Sequence, residues 1–484
     1  MIRNTIISVG FATALAAVPV EAQNPATTDT VALTLEQAVG RATSQSQEVR
    51  LAQSQVDLAR TQVRATRSGI FPQLDARLGY TRTFASAFSS GEGFTLPDSL
   101  RFEPDSTLSL QERVSYLERR TPTAALGGLG SLFGDLPFGQ ANAYTATLNG
   151  SQVLYSGGRV SAGLRIADEF VDAARLELQE QTAEIELQVR SAYYRARLSQ
   201  ELVTISQEAV NQAARFLASE RLRQQAGVGS ELDVLRAEVS LANLQPSLVQ
   251  ATNAAELAIL DLKRLVDIPL GQPVKLTSPL DATGIASALD SSVTAAEVLS
   301  QRASVAAAER QVRIREEQVK IARGNYLPSV NLNFAYGRQL FPTELFRLNE
   351  PWRTDFTAGL SISVPIFNGN RTRAEVAQAQ VELQQQRLRL AQLRENVQLD
   401  YERARGERER TRVSIEARER TVQQAQRVYD LTVLRYEQGL ASQLEVSESR
   451  LALLQARTNL AQAVADFQIA TAQLNRAIGR PARR

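Results

Sequence analysis

The sequence predicts an α+β membrane protein built from a duplicated repeat, with four β-strands and long coiled-coil-like helices in each chain. Three observations predict this class. Two stretches of about 65 residues lack proline and carry apolar residues at seven-residue intervals. Four shorter segments alternate between apolar and polar side chains, as strands with one apolar face do. The second half of the chain also repeats the pattern of the first half.

Composition excludes several classes of function. The chain has 484 residues and a net charge of only +2, with basic and acidic residues interleaved, so no nucleic-acid-binding surface is expected. It contains no histidine and no cysteine, and Met1 is its one methionine. Imidazole and sulfur ligands for metals are therefore missing, and so are thiol and histidine catalysis. No P-loop or GxGxxG turn is present. We expect no enzyme activity, cofactor or metal site.

The N-terminus has the pattern of a secretory signal peptide over residues 1–22. Arg3 supplies a positive charge, an uncharged apolar stretch runs from Ile6 to Val20, and the mature chain would begin near Gln23. An N-terminal membrane anchor is the alternative. No later stretch reaches about 18 uninterrupted apolar residues, so a place in a membrane would depend on the strands.

The repeat sets the predicted domain organisation. Residues 154–266 align without a gap on residues 366–478, so that Gly227 falls on Gly439. The first repeat is predicted at 23–278 and the second at 279–484, each with a helix, two strands and a long helical hairpin. The strands are predicted at about 73–84, 142–154, 329–340 and 355–366, and the hairpins at about 159–266 and 371–478.

The first helix of each repeat has a clear start and stop. Thr34 and Gln37 can form a capping box in repeat one, and Thr294 and Glu297 can do so in repeat two. A proline ends each helix region, at Pro72 and at the matching Pro328.

The strands that follow have one apolar and one polar face, which is typical of a membrane β-barrel. A soluble sandwich sheet with one buried face is the alternative. Aromatic residues near both ends of the strands favour the membrane interpretation, because they match two interfacial girdles. Four strands are too few to close a barrel, and three chains would supply twelve. The sequence thus predicts a homotrimer. The long loop at 85–141 and its short counterpart at about 338–354 are expected to face the cell exterior.

Each hairpin folds back at a short turn that contains glycine. Gly227 and Gly439 suit a left-handed helix C-cap, and Ser230 and Ser442 suit the N-cap of the returning helix. A purely structural coiled-coil rod is the alternative, but it would explain neither the signal peptide nor the strands.

Taken together, the duplicated strand-to-helix turns, the proline-marked helix ends and the hairpin tips resemble the outer-membrane efflux protein family, which includes TolC. The resemblance covers roughly residues 33–480, and the tip from Arg435 to Gly439, followed by Leu444-Glu445-Val446, is close to the family pattern. It implies a twelve-stranded barrel in the outer membrane, continuous with a helical tube, or α-barrel, in the periplasm. Such ducts pass small molecules passively. They dock onto a periplasmic membrane-fusion adaptor and an inner-membrane pump of the RND or ABC type.

The resemblance also implies roles for tip residues. Glu445 and Glu448 fall where the family places carboxylates that line the closed periplasmic aperture. Tyr436 and Asp233 match positions that latch the inner hairpin shut by a hydrogen bond. The family's basic latch residue is replaced by Ala441. The matching adaptor-contact residues are Gly227, Val228, Ser230, Gly439, Leu440 and Ser442.

Two other functions remain open from the sequence. The same architecture serves as the outer-membrane duct of type I protein secretion. A periplasmic coiled-coil scaffold without a channel is the alternative from another class.

Overall fold

The computed structural model describes residues 30–84, 105–118, 141–281, 294–342, 344–349 and 351–479. The predicted signal peptide at 1–22 lies outside these residues, as does most of the predicted loop at 85–141. Within the described part of the chain, no helix is both long enough and apolar enough to cross a membrane.

The two repeats contain matching helices and longer strands, and the first also contains two short strands. The first has β1 (Val31–Leu33), α1 (Leu35–Gln45), α2 (Gln47–Ser68), β2 (Gln73–Arg82), β3 (Asn142–Tyr155), α3 (Arg159–Gln225), α4 (Glu231–Leu265) and β4 (Val274–Leu276). The second has α5 (Ala295–Gln301), α6 (Ala303–Gly324), β5 (Ser329–Leu340), β6 (Arg353–Ser363), α7 (Arg371–Glu437) and α8 (Gln443–Ile478). Residues 110–118 are also helical. The predicted α+β class, with four longer strands and long helices, is confirmed.

The first helix of each repeat is divided in two, where the sequence predicted one element. Ser46 adopts an extended backbone between α1 and α2, and its hydroxyl accepts a hydrogen bond from the Val49 N–H at 3.3 Å. Ser46 therefore ends one helix and caps the next. Arg302 has a similar extended backbone between α5 and α6. The expected capping boxes at Thr34 and Thr294 are both present.

A short parallel pair, β1 with β4, was not predicted. Val31 pairs with Val274 and Leu33 with Leu276. Strands of three residues are too short to show an alternating pattern in the sequence. β6 also ends at Ser363, before the expected end near residue 366, because Pro365 has no N–H to continue the ladder.

The chain forms two compact units, and each takes elements from both repeats. One unit comprises residues within 1–53, 178–303 and 395–484, and the other comprises 54–177 and 304–394. The sequence repeats and the compact units are thus different divisions of the chain. The long helices α3 and α7 contribute residues to both units.

The unit at 54–177 and 304–394 contains the four-stranded sheet, in the order β2-β3-β5-β6 with every pair antiparallel. Residues opposite each other share a face, so Leu78 lies beside Ala146 and Tyr336 beside Phe356. Side chains of the apolar face are exposed in the single chain, with Leu78 at 87% and Phe356 at 66%. An unusually apolar surface is therefore left uncovered.

The other unit has a helical core next to the short parallel pair. Ile185, Val189 and Tyr193 of α3 are buried against Leu33 and Leu262. The Tyr193 hydroxyl donates to the Leu33 carbonyl at 3.0 Å and accepts from the Ser278 N–H at 2.9 Å. This buried hydroxyl has both a donor and an acceptor partner, as a buried polar group requires.

Candidate functional site at the hairpin tips

Both hairpins turn through the same backbone motif. Gly227 and Gly439 have φ angles of +75° and +74°, in the left-handed region that favours glycine. The Val228 N–H donates to the Arg223 carbonyl at 3.0 Å, and the Leu440 N–H donates to the Arg435 carbonyl at 2.8 Å. These are Schellman motifs, which satisfy the last carbonyls of α3 and α7.

Serine side chains begin the two returning helices. Ser230 accepts a hydrogen bond from the Asp233 N–H at 3.2 Å, and Ser442 accepts one from the Glu445 N–H at 3.3 Å. In the second tip alone, the carboxylate also reaches back, and Glu445 accepts from the Ser442 N–H at 3.0 Å. This bond and one from the Ser442 hydroxyl lower the pKa of Glu445. Glu445 therefore completes a capping box.

Tyr436 makes a hydrogen bond from the second hairpin to the first. Its hydroxyl donates to Oε2 of Glu220 at 2.7 Å, and the Glu220 side chain is only 1% exposed. The tyrosine ring lies 5.4 Å from the ring of Phe216, and the guanidinium of Arg223 lies 5.1 Å from the tyrosine ring centre. Burial, and next the hydrogen bond to Glu220, raise the pKa of Tyr436.

The acceptor differs from the predicted one, since the sequence paired Tyr436 with Asp233. The Asp233 carboxylate instead accepts from the Ser230 hydroxyl at 2.9 Å, in the first turn of α4. Its backbone carbonyl accepts from the side chain of Gln443 at 2.9 Å. Asp233 thus contacts the second hairpin through its main chain, and Glu220 supplies the carboxylate.

Three further donors bridge the hairpins, and they lie at seven-residue intervals after Tyr436. We call Tyr436, Gln443, Arg450 and Arg457 the donor stripe. Gln443 donates to the Asp233 carbonyl, Arg450 to the Ser240 hydroxyl and Arg457 to the Glu208 carboxylate. Seven residues are close to two helical turns, so the three α8 residues share one side of that helix. In all four of these hydrogen bonds, the second hairpin donates and the first accepts.

The middle of the donor stripe is buried. Gln443 is 4% exposed and Arg450 is 6% exposed. Burial lowers the pKa of the Arg450 guanidinium. A buried polar side chain destabilises a structure when it loses its hydrogen-bond partner. Separation of the two hairpins would therefore be costly at Gln443 and Arg450.

The proposed aperture and adaptor residues are on the surface of the single chain. Glu445 and Glu448 are both exposed, one helical turn apart on α8. Val228 is 70% exposed and Leu440 is 64% exposed, at matching positions of the two turns. In the described residues, no group of three or more acidic side chains is arranged to hold a metal ion.

Sequence reasoning missed Glu220, Gln443, Arg450 and Arg457. The seven-residue spacing of the donors could have revealed the α8 members, because a buried helix face can carry polar residues at the same interval as apolar ones. Glu220 gave no comparable signal.

A sheet with one exposed apolar face, combined with long helical hairpins, defines the class of outer-membrane channel proteins. The chain belongs to the outer membrane efflux protein family, whose sequence profile matches residues 38–266 and 294–480. This confirms the resemblance found in the sequence. It also confirms the predicted location in the outer membrane, with the long helices on the periplasmic side.

Named relatives cover parts of the chain. Fusaric acid resistance protein FusA of Burkholderia cepacia is 27% identical over 49% of this chain and 44% of its own length. Alkaline protease secretion protein AprF of Pseudomonas aeruginosa is 23% identical over 69% of each chain. Solvent efflux pump outer membrane protein SrpC of Pseudomonas putida is 24% identical over 60% of this chain and 61% of its own. The chain thus matches less than two thirds of FusA and of SrpC.

Solved structures extend the likeness to nearly the whole fold. CusC superposes with a TM-score of 0.73 at 17% identity, covering 93% of this chain and 94% of CusC. The open state of the MtrE outer membrane channel of Neisseria gonorrhoeae gives a TM-score of 0.71 at 19% identity, covering 92% of this chain and 89% of MtrE. At these identities the likeness shows the fold.

Proposed function

We propose that this chain is the outer-membrane channel of a tripartite efflux system, a passive duct for small molecules that does no chemistry. The observation that carries the proposal is the four-stranded sheet with its exposed apolar face, in a chain of the outer membrane efflux protein family. A bilayer would cover that face, and the polar face would line a water-filled passage.

The proposed assembly is a homotrimer. Each chain supplies four strands, and twelve are enough for a barrel that leaves an aqueous lumen. Residues 1–22 would direct export, and the repeats at 23–278 and 279–484 would each contribute two strands and one hairpin. The proposed partners are a periplasmic membrane-fusion adaptor, an inner-membrane pump of the RND or ABC type and outer-membrane lipid. No nucleic acid is involved.

The hairpin tips are the proposed gate. Threefold symmetry would turn Glu445 and Glu448 into two rings of three carboxylates, which favour cations. The hydrogen bond from Tyr436 to Glu220, together with the bond from Gln443 to the Asp233 carbonyl, would hold the second hairpin closed. The exposed turns, Gly227 to Ser230 and Gly439 to Ser442, would meet the adaptor.

Single-channel conductance in a planar bilayer tests this function. Wild-type trimer would be compared with Glu445→Ser/Glu448→Ser, and with the control Glu256→Ser, an exposed carboxylate of α4 distant from the tip in sequence. We expect cation-selective pores whose conductance or selectivity changes in the double variant and not in the control. Equal pores in all three proteins would move the gate elsewhere. A folded trimer that never inserts would overturn the channel itself and favour the scaffold.

Protein secretion is the second candidate function, because the similarity to AprF covers 69% of both chains. Expression in cells that lack their own channels separates the two functions. Restored resistance to small toxic compounds would support efflux. Restored export of a protease, without such resistance, would support secretion.

A further inference from the structure

The apolar face of the sheet carries two charged residues, and both are arginines. Along the described strands, this face contains the alternate residues from Leu74 to Arg82 on β2, Asn142 to Gln152 on β3, Leu332 to Leu340 on β5 and Thr354 to Ile362 on β6. Arg82 and Arg338 are the two charged members. Asp75, Arg77 and Asp355 are on the opposite, polar face. We call Arg82 and Arg338 the rim arginines.

Both rim arginines lie at the loop end of the sheet. Arg82 is the last residue of β2, and Arg338 is near the end of β5, which finishes at Leu340. The helices join the opposite ends of the strands, at Gln73 and Ser329. Since the helices are on the periplasmic side, the rim arginines would reach the outer leaflet of the membrane.

Each rim arginine lies beside an aromatic ring. The guanidinium of Arg82 lies 5.5 Å from the ring centre of Phe84, and that of Arg338 lies 5.7 Å from the ring centre of Trp352. The rings of Tyr80 and Tyr144 are 4.8 Å apart on the same face. Tyrosine and tryptophan are typical of the level where lipid headgroups begin.

Neither rim arginine pairs with a carboxylate among the described residues, and both side chains are exposed. A long arginine side chain at this level places its apolar stem along lipid tails and its charge among headgroups. Phosphate is the headgroup component that a guanidinium binds best, through two parallel hydrogen bonds.

The register places the two arginines too far apart to share one phosphate. Arg82 is opposite Asn142, and Arg338 is opposite Ala146. Their Cα atoms are therefore separated by roughly 13 Å along the strands and about 10 Å across them. Each guanidinium would contact a phosphate of its own.

We propose that the rim arginines bind phosphate groups of lipid headgroups in the outer leaflet. This rests on the proposed function, because it requires that the sheet spans the outer membrane. A trimer would present six such arginines around its circumference. Lipids with two phosphates would then be retained better than lipids with one.

Native mass spectrometry of the trimer, released from phosphatidylethanolamine bilayers doped with diphosphoryl or monophosphoryl lipid A, tests the proposal. The variant is Arg82→Gln/Arg338→Gln, and the matched control is Arg77→Gln on the polar face of β2. We expect wild type and control to retain diphosphoryl lipid A equally well. The double variant should lose retention by about fivefold for each of the two arginines removed. Retention of monophosphoryl lipid A should be weaker in the wild type.

Several results would overturn the proposal. They are equal retention by the wild type and the double variant, no preference for the second phosphate, or displacement of the lipid by millimolar inorganic phosphate. Conductance of the same samples keeps the proposed function separate. Pores with unchanged lipid retention would reject the lipid site alone, and absence of pores would reject the channel.

Discussion

The first hairpin, α3–α4, and the second, α7–α8, have nearly the same backbone at their tips but different side-chain roles. Both turn at a left-handed glycine and restart at a serine N-cap. Yet the second hairpin donates the bridging hydrogen bonds of the donor stripe, and the first supplies the acceptors Glu208, Glu220, Asp233 and Ser240.

Residues at matching positions explain the difference. Tyr436 of the second hairpin corresponds to Gln224 of the first, and Arg450 corresponds to Glu238. Gln224 is exposed, and Glu238 pairs with Arg221 of its own hairpin at 2.7 Å. Duplication therefore preserved the turn, while substitutions on the facing helix surfaces made one copy a donor and the other an acceptor. Point variants can either remove this asymmetry or test what the tips share.

Loss of the Tyr436 ring should have the largest effect. Tyr436→Ala removes contacts with Phe216 and Arg223 and leaves the buried Glu220 without its donor, at a cost of about 2–3 kcal/mol in local stability. Gln224→Ala, at the matching position, should change stability by less than about 0.5 kcal/mol. Hydrogen exchange of the tip amides measures both. Equal losses of stability in the two variants would contradict the different roles assigned to the two hairpins.

The turn glycines should behave alike. Gly227→Ala and Gly439→Ala should each cost about 1–2 kcal/mol, because a left-handed backbone is strained with a Cβ although no atom lies within 4 Å of it. Gly406→Ala is the control, because this exposed glycine inside α7 has an ordinary φ and no atom within 4 Å of an added Cβ. Hydrogen exchange of the tip amides measures these losses of stability as well. A much larger effect at one turn glycine would show that the two backbones are not equivalent.

The N-caps should differ slightly. Ser442→Ala should destabilise the start of α8 by about 1 kcal/mol, and Ser230→Ala should cost a few tenths less at the start of α4. The reason is that the second cap alone is a full capping box. Glu445→Gln is a useful control, since its amide oxygen can still accept from the Ser442 N–H. A larger loss at Ser230 would contradict this ranking.

The hydrogen bond from Tyr436 to Glu220 should be lost only at strongly alkaline pH. An exposed tyrosine ionises at about pH 10, and burial raises the pKa of Tyr436 above that of an exposed one. The stabilisation by Tyr436 is therefore complete below about pH 10 and is lost as pH rises from there toward the raised pKa. Conductance recorded at increasing pH should rise in wild type and stay flat in Tyr436→Phe. A rise in both proteins would assign the effect to another group.

Local patterns predicted much of the fold and of the turns. The strands follow from alternation, and Gly227, Gly439, Ser230 and Ser442 follow from residue types that suit one backbone geometry. The divided helix at Ser46 was not predicted, because serine is tolerated inside helices as well as at their ends.

Contacts between distant elements were not predictable in the same way. Glu220 looks like any solvated helix glutamate until the rotation of α3 and α7 places it beneath Tyr436. Alternation places Arg82 on the same face as Leu74, Leu78 and Tyr80, but its distance from Arg338 follows only from the register of the strands. Side-chain partners across hairpins depend on packing, which the one-dimensional pattern does not contain.

Single-channel conductance of Tyr436→Phe near neutral pH tests the central claim most directly. The substitution keeps the ring contact with Phe216 and removes only the hydroxyl that donates to Glu220. Tyr194→Phe is the control, because this half-buried tyrosine of α3 is distant from the tip in sequence. If the second hairpin is held closed through Glu220, Tyr436→Phe should conduct more than wild type and the control should match wild type. Equal conductance in all three proteins would contradict a gate at this contact.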